Sequence, residues 1–234
     1  MLILAIDTST RAGSVALVRD RQVLAEVSAG EDIPLSSGLF RDLELLHSRA
    51  AFQMNQIDVF AVASGPGSFT GLRVGLTAVK AWAEVHLKSI AAISGLEAIA
   101  SQANANDEII CPFLDARRGH IFGSTYLRGA EKSAILERIG EESILTTEEF
   151  LAFVKLNCGA RQAVLVSPTP SVLPLHLVES ILPGARLEQV SARLAPLIGR
   201  LAFDRANRGD LLDALGLDAN YLRRSDAEAT WKDV

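Results

Sequence analysis

This chain of 234 residues has few cysteines, few histidines and no long apolar run. Its two cysteines, Cys111 and Cys158, form no CxxC pair, which excludes a zinc ribbon or a redox dithiol and leaves two reduced thiols. Its four histidines are His47, His86, His120 and His176, and no two are four apart. No helix can therefore present an imidazole pair to one metal ion, so no metal is expected. No apolar run approaches the roughly 18 residues needed to cross a bilayer. The apolar start MLILAIDTST is broken early by Asp7, and no basic segment precedes it, so no signal peptide is expected and the location is read as cytoplasmic, with no membrane contact. Positive charge is also lacking. A net charge of −5 argues against a protein that grips tRNA or DNA on its own.

What is present is an ordinary globular composition, 49% hydrophobic and 22% charged, enough for one large domain or two small ones. Leu2–Ile6, Ser14–Val18 and Val23–Val27 are short apolar runs separated by tight turns, which predicts an antiparallel meander. Leu35, Leu39, Leu43, Leu46 and Ala50 fall at helical spacing over 35–52. A strand at 59–63, a helix over 68–87, a strand at 89–93 and a helix capped by Ser94 follow. The first hundred residues thus read β-β-β-α-β-α-β-α. After the polar break at 104–107, strands at 109–114 and 121–126 restart the same opening. This predicts a domain over 1–104 and a smaller α/β domain over 105–234, with the last segment free to pack back on the first. Thr146–Glu149 resembles a helix start, 163–166 a strand and 191–208 a helix, and the proline-rich 168–183 has no clear pattern.

Two stretches invite a phosphate. The segment ASGPGSFTGLRVGL, residues 63–76, runs from strand through Gly65-Pro66-Gly67 into a helix beginning near Ser68. It lacks the Gly-Lys-Ser/Thr triplet of a phosphate loop, and Lys80 lies too far along the helix. Gly65, Gly67 and Gly71 approximate a dinucleotide fingerprint, but the next strand ends in Ser94 rather than in the acidic residue that would hold a ribose. The plainer alternative is that the glycines serve a tight turn and close helix packing. The second stretch, AIDTSTRAGSVAL, places Asp7, Thr8 and Ser9 at the end of a buried strand. Such a hairpin can wrap a phosphate, or can simply cap its own turn.

The β-β-β-α-β-α opening, repeated, is the layout of the actin, hexokinase and heat-shock ATPase fold (ribonuclease H-like), an α/β class with mixed sheets and two subdomains. With IDTST-x-x-GSVAL, ASGPGSFTGLRVGL, LDARRGHIF and a terminal YLRR, the chain resembles the bacterial TsaB (YeaZ) family over nearly its whole length. The resemblance implies a part in making threonylcarbamoyladenosine at position 37 of tRNA. It implies a catalytic partner, TsaD, and an ATPase, TsaE, with tRNA met only indirectly. The catalytic paralogue carries an HxxxH metal pair that this chain lacks.

ATP-using members of the fold have Asp-x-Gly and small residues at the second hairpin, whereas this chain has Asp115-Ala116-Arg117-Arg118-Gly119. Asp7, Thr8, Ser9, Gly65, Gly67, Ser68, Asp115, Arg117 and Arg118 are therefore read as a degenerate phosphate site, with no catalytic residue and no cofactor. Arg223 and Arg224 are read as solvated charge, or as part of a composite surface. The resemblance further implies a partner interface on the two helices, assigned to Leu39, Phe40, Leu43, Leu46, Leu72, Gly75, Leu76 and Val79, with Val74 and Trp82 off the main stripe. Homodimers are the expected fallback when the partner is absent. The loop EDIPLSSG carries no histidine where the family usually has one. The alternative is a small ATP-dependent phosphotransferase of the same fold. A glycoprotease reading finds neither a metal pair nor a Ser or Cys with an evident His partner.

Overall fold

The computed structural model describes residues 1–28, 35–104, 106, 108–129 and 136–222. It contains two five-stranded mixed sheets. The chain divides into one unit made of Met1–Ala98 with Ala192–Tyr221 and a second unit built on Ile99–Ser191. The expected boundary at 104 thus lies a few residues late. The last helical segment belongs with the first unit rather than the second.

In the first unit, β1 (Leu2–Asp7), β2 (Ser14–Arg19) and β3 (Gln22–Ser28) form the meander. β4 (Val59–Gly65) and β5 (Ser89–Ser94) add in parallel, giving the order β3-β2-β1-β4-β5. All six residues of β1 are buried, because helices cover both faces of the sheet. This is why its sequence is a continuous apolar run rather than an alternating one. One face meets α1 (Leu35–Arg49) and α2 (Phe69–His86), the other α6 (Ala195–Asn207). Leu4, Ile6, Leu17, Phe60 and Val62 join Leu39, Leu46, Leu72, Leu76 and Val79 in one core. Burying each such side chain contributes about 1.5–3 kcal/mol. On the opposite face α6 approaches the sheet through Gly199, where an added Cβ would stand 2.5 Å from Val18 Cγ2 and 3.3 Å from Ala5 Cβ.

The second unit follows the same plan. β6 (Ile109–Arg117), β7 (His120–Arg128) and β8 (Leu136–Thr146) form a meander, and β9 (Ala163–Ser167) and β10 (Arg186–Gln189) join it in the order β10-β9-β6-β7-β8. Between β5 and β6 lies the short α3 (Gly95–Ala100), with Ser94 Oγ accepting from Leu96 N and Glu97 N. α4 (Thr147–Cys158) opens with the expected cap. Thr146 Oγ1 accepts from Glu149 N at 3.3 Å, and Glu149 Oε2 accepts from Thr146 N at 2.8 Å. α5 (Leu175–Ile181) fills the proline-rich stretch. β8 and β10 were not anticipated. β8 carries Glu137, Glu141 and Glu142, and β10 is only four residues long. Burial pushes the Cys111 thiol well above its usual range, as an inert core thiol requires.

Replacing Gly199 with Val forces methyl groups into the Val18 contact. We expect a loss of about 1–3 kcal/mol, measured by urea denaturation; an unchanged midpoint would show that α6 does not seat there.

Candidate functional site

The β1–β2 turn and the start of α2 are locked together. Ser68 N donates to Ser9 O at 2.7 Å, and Thr8 Oγ1 donates to Gly71 O at 2.7 Å. Ser68 caps α2 by accepting from Gly71 N. Two N–H groups that would face a phosphate, those of Ser68 and Gly71, are thereby satisfied within the protein. The glycines explain how the backbones come so near. A Cβ at Gly67 would stand 2.5 Å from Ser9 O, and one at Gly75 would stand 2.5 Å from Thr8 Oγ1. Gly65 adopts φ +122°, open only to glycine in practice, and a Cβ there would lie 2.6 Å from Asn220 O. The terminal strap that carries Asn220 is fixed by Asn220 N donating to Ser64 O at 2.8 Å and by buried Leu217.

Asp7 lies inside this knot with no exposed surface. Its Oδ1 accepts from Ser9 N at 2.8 Å and from Ser9 Oγ at 2.6 Å, while Oδ2 has no hydrogen-bond partner among the described residues. Desolvation raises its pKa above the usual 3.8, outweighing the Ser9 hydrogen bonds, so burial favours the neutral acid. Beside it is a cavity of about 10 Å³, room for roughly one water, also lined by Ser14, Leu39 and the buried Asp42. A nucleotide–metal site in this fold needs an accessible carboxylate and bare backbone. At this turn the carboxylate is sealed and the N–H groups of Ser9, Ser68 and Gly71 are already bonded.

The turn of the second unit is built differently. Asp115 is exposed, and its Oδ1 accepts from Arg117 N at 2.7 Å. Arg117 and Arg118 are exposed with φ +67° and +55°, left-handed backbone that glycine normally supplies. The arginine side chains therefore stand on the tip of the hairpin where a phosphate cradle would need none. Arg223 and Arg224 lie outside the described residues, as does the first half of EDIPLSSG, residues 31–34. No group of three or more His, Cys, Asp or Glu side chains suited to a metal occurs among the described residues. Nor is any described helix long and apolar enough to cross a membrane.

On the outer side of α1 and α2 runs an open groove of about 620 Å³. It is lined by Leu39 and Phe40 of α1 and by Phe69, Thr70, Arg73, Val74, Thr77, Ala78, Ala81 and Trp82 of α2. Of the eight residues expected at a partner interface, Leu39 and Phe40 line this groove and the other six do not. Leu46, Leu72, Gly75, Leu76 and Val79 are buried against the sheet, Leu43 packs half-buried beside that core, and Leu39 is only 3% exposed. A helix has one apolar stripe for its own sheet, and these residues are that stripe. Of the eight, Phe40 alone is well exposed, at 62%. Val74, Ala78 and Trp82 sit on the next face and remain half-buried. Two groove residues at one rim, Phe69 and Arg73, and the neighbouring Tyr221 lie within the quoted motifs but were given no role in the sequence. The Arg73 guanidinium lies 3.8 Å above the Phe69 ring, Arg73 Nε donates to Tyr221 Oη at 3.3 Å, and the Phe69 and Tyr221 rings are 5.0 Å apart. The i, i+4 spacing of Phe69 and Arg73 was legible, but their partner Tyr221 is 148 residues away from Arg73.

Asn in place of Asp7 keeps an acceptor for Ser9 and removes a buried acid. A raised native pKa gives stability that is full below the unfolded value near 3.8 and lost as pH climbs through the native value. The melting temperature of Asp7→Asn should therefore gain on the parent as pH rises from 4 to 8. A constant difference across that range would mean that Asp7 does not carry the buried charge cost.

Residues 41–163 match the family model described as "TsaD: tRNA N6-adenosine threonylcarbamoyltransferase". The chain is 30% identical over 238 residues to the tRNA threonylcarbamoyladenosine biosynthesis protein TsaB of Bacillus subtilis (strain 168), covering 99% of this chain and 98% of that protein. It is 30% identical over 149 residues to the protein of the same name from Escherichia coli (strain K12), covering 58% and 63% of the two chains. The solved structure of YeaZ from Pseudomonas aeruginosa superposes with a TM-score of 0.75 at 22% identity, covering 94% of this chain and 99% of that one, and so shares its fold. Match length and shared fold agree with the motifs at residues 5–17 and 63–76: the chain belongs to the TsaB (YeaZ) family.

Proposed function

We propose that this chain serves the synthesis of threonylcarbamoyladenosine on tRNA as a non-catalytic scaffold subunit. It docks a TsaD-like catalytic subunit, in a complex that a TsaE-like ATPase completes, and it meets tRNA only through that complex. The step is supported by the names of its relatives, which are tRNA threonylcarbamoyladenosine biosynthesis proteins. The observation that carries the scaffold reading is the contrast between two faces of α2. Its N-terminal turn is filled by the protein's own Thr8, Ser9 and Ser68, and its outer face holds an open apolar groove. Chemistry has little room at the first, and a helix fits the second. A standard interface buries about 1,600 Å² in total, and small Ala78 and Ala81 on the groove floor permit close approach of another helix.

Thr77→Glu or Ala81→Glu, both at exposed positions, places a carboxylate in the groove without touching the core stripe. Each should weaken capture of the TsaD-family subunit by about 30-fold, or roughly 2 kcal/mol, with the melting temperature held. Unaltered capture by both would remove the groove from the interface. The direct test of function is reconstitution of tRNA modification by the partner subunits with and without this chain. Full modification in its absence would overturn the reading. Turnover of ATP by the chain alone would favour the phosphotransferase instead. Calorimetry with ATP and Mg²⁺ should show nothing tighter than about millimolar Kd, near −4 kcal/mol.

A further inference from the structure

Arg73 is the single charged residue among those lining the groove. No carboxylate lies within ion-pair distance of it among the described residues, whereas Arg21 pairs with Asp204, Arg41 with Asp42, and Arg193 with Glu26. Its pose is nevertheless fixed. The guanidinium is stacked 3.8 Å over Phe69, and its Nε is engaged by Tyr221 Oη. Stacking on a ring and bonding through Nε hold the plane and leave the two terminal nitrogens as a parallel donor pair. That pair matches the two oxygens of a carboxylate.

We infer that Arg73 is the polar anchor of the groove, and that the docking partner is a helix carrying an Asp or Glu beside an apolar stripe. This rests on the docking reading above and specifies its chemistry. The apolar floor of Val74, Ala78, Ala81 and Trp82 selects a helix read at i, i+3, i+4 and i+7. The lone cation fixes its register, because a helix shifted by one turn would bury an unanswered guanidinium. An RNA strand is a poorer match: it would need several cations along its path, and the groove offers one. Tyr221 acts as a positioning residue, holding the guanidinium through its hydroxyl.

The test measures binding of the purified TsaD-family subunit to the full chain and to Arg73→Gln, Arg73→Glu, Arg73→Lys and Tyr221→Phe, at two salt concentrations. Arg73→Gln should weaken binding about 10- to 30-fold and flatten its salt dependence. Arg73→Glu should weaken it further. Arg73→Lys should fall between Arg73→Gln and the parent, since an ammonium keeps the charge and loses the planar pair. Tyr221→Phe should follow Arg73→Lys. Arg73 is exposed, so melting temperatures should match the parent. Parent-like binding by both Arg73→Gln and Arg73→Glu overturns the anchor while leaving docking intact. No binding by the parent chain itself would instead overturn docking. If the variants change only self-association of this chain, or only binding of tRNA, the carboxylate-bearing partner helix is wrong.

Discussion

Everything in the first unit hangs on how closely three backbones meet around the start of α2. The β1–β2 turn, the helix terminus and the strap at Asn220 approach one another through positions that have no side chain, Gly65, Gly67 and Gly75. Interiors this dense do not yield by small amounts. Once Ser9 O accepts from Ser68 N and Thr8 Oγ1 donates to Gly71 O, the turn is an internal joint. A loop geometry that elsewhere admits a phosphate is here consumed by the protein's own hydrogen bonds, and Asp7 is sealed behind it.

That joint also decides what α2 can offer to the outside. Its inner stripe of Leu72, Leu76, Val79 and Ala83 is spent on the sheet. The helix is pinned at its first turn and along that stripe, so its outer face is presented as a rigid surface. The strap that covers Gly65 continues into Tyr221, which organises Arg73 and Phe69. The segment that covers Gly65 therefore also shapes the rim of the groove. A rigid, pre-shaped surface loses little freedom on association.

Most of the architecture was legible. Continuous apolar runs such as LILAI and FAVAS read as strands because helices cover both sides of the sheet. The Thr146–Glu149 cap read correctly from four residues. β8 did not, because LERIGEESILT is an edge strand whose buried Glu142 is answered by Tyr126, a pairing visible only in three dimensions. Helical periodicity found the stripes on α1 and α2 but could not say that Leu46, Leu76 and Val79 were already taken by the sheet. The same limit hid Arg73. A lone arginine in a helix reads as solvated charge until a distant tyrosine is folded onto it.

The placement of α6 bears on how the polypeptide matures. The helix that seals the second face of the first sheet, against Val18 and Ala5, comes from the final sixth of the sequence. During synthesis, the opening strands must wait with one greasy side uncovered while all of β6–β10 is translated. The later unit, built mainly on 99–191, is free to form most of its structure as it leaves the ribosome, whereas the earlier one closes only once α6 has been made. A truncation after residue 191 would thus deprive the amino-terminal half of its lid, although every strand of that half would still be encoded.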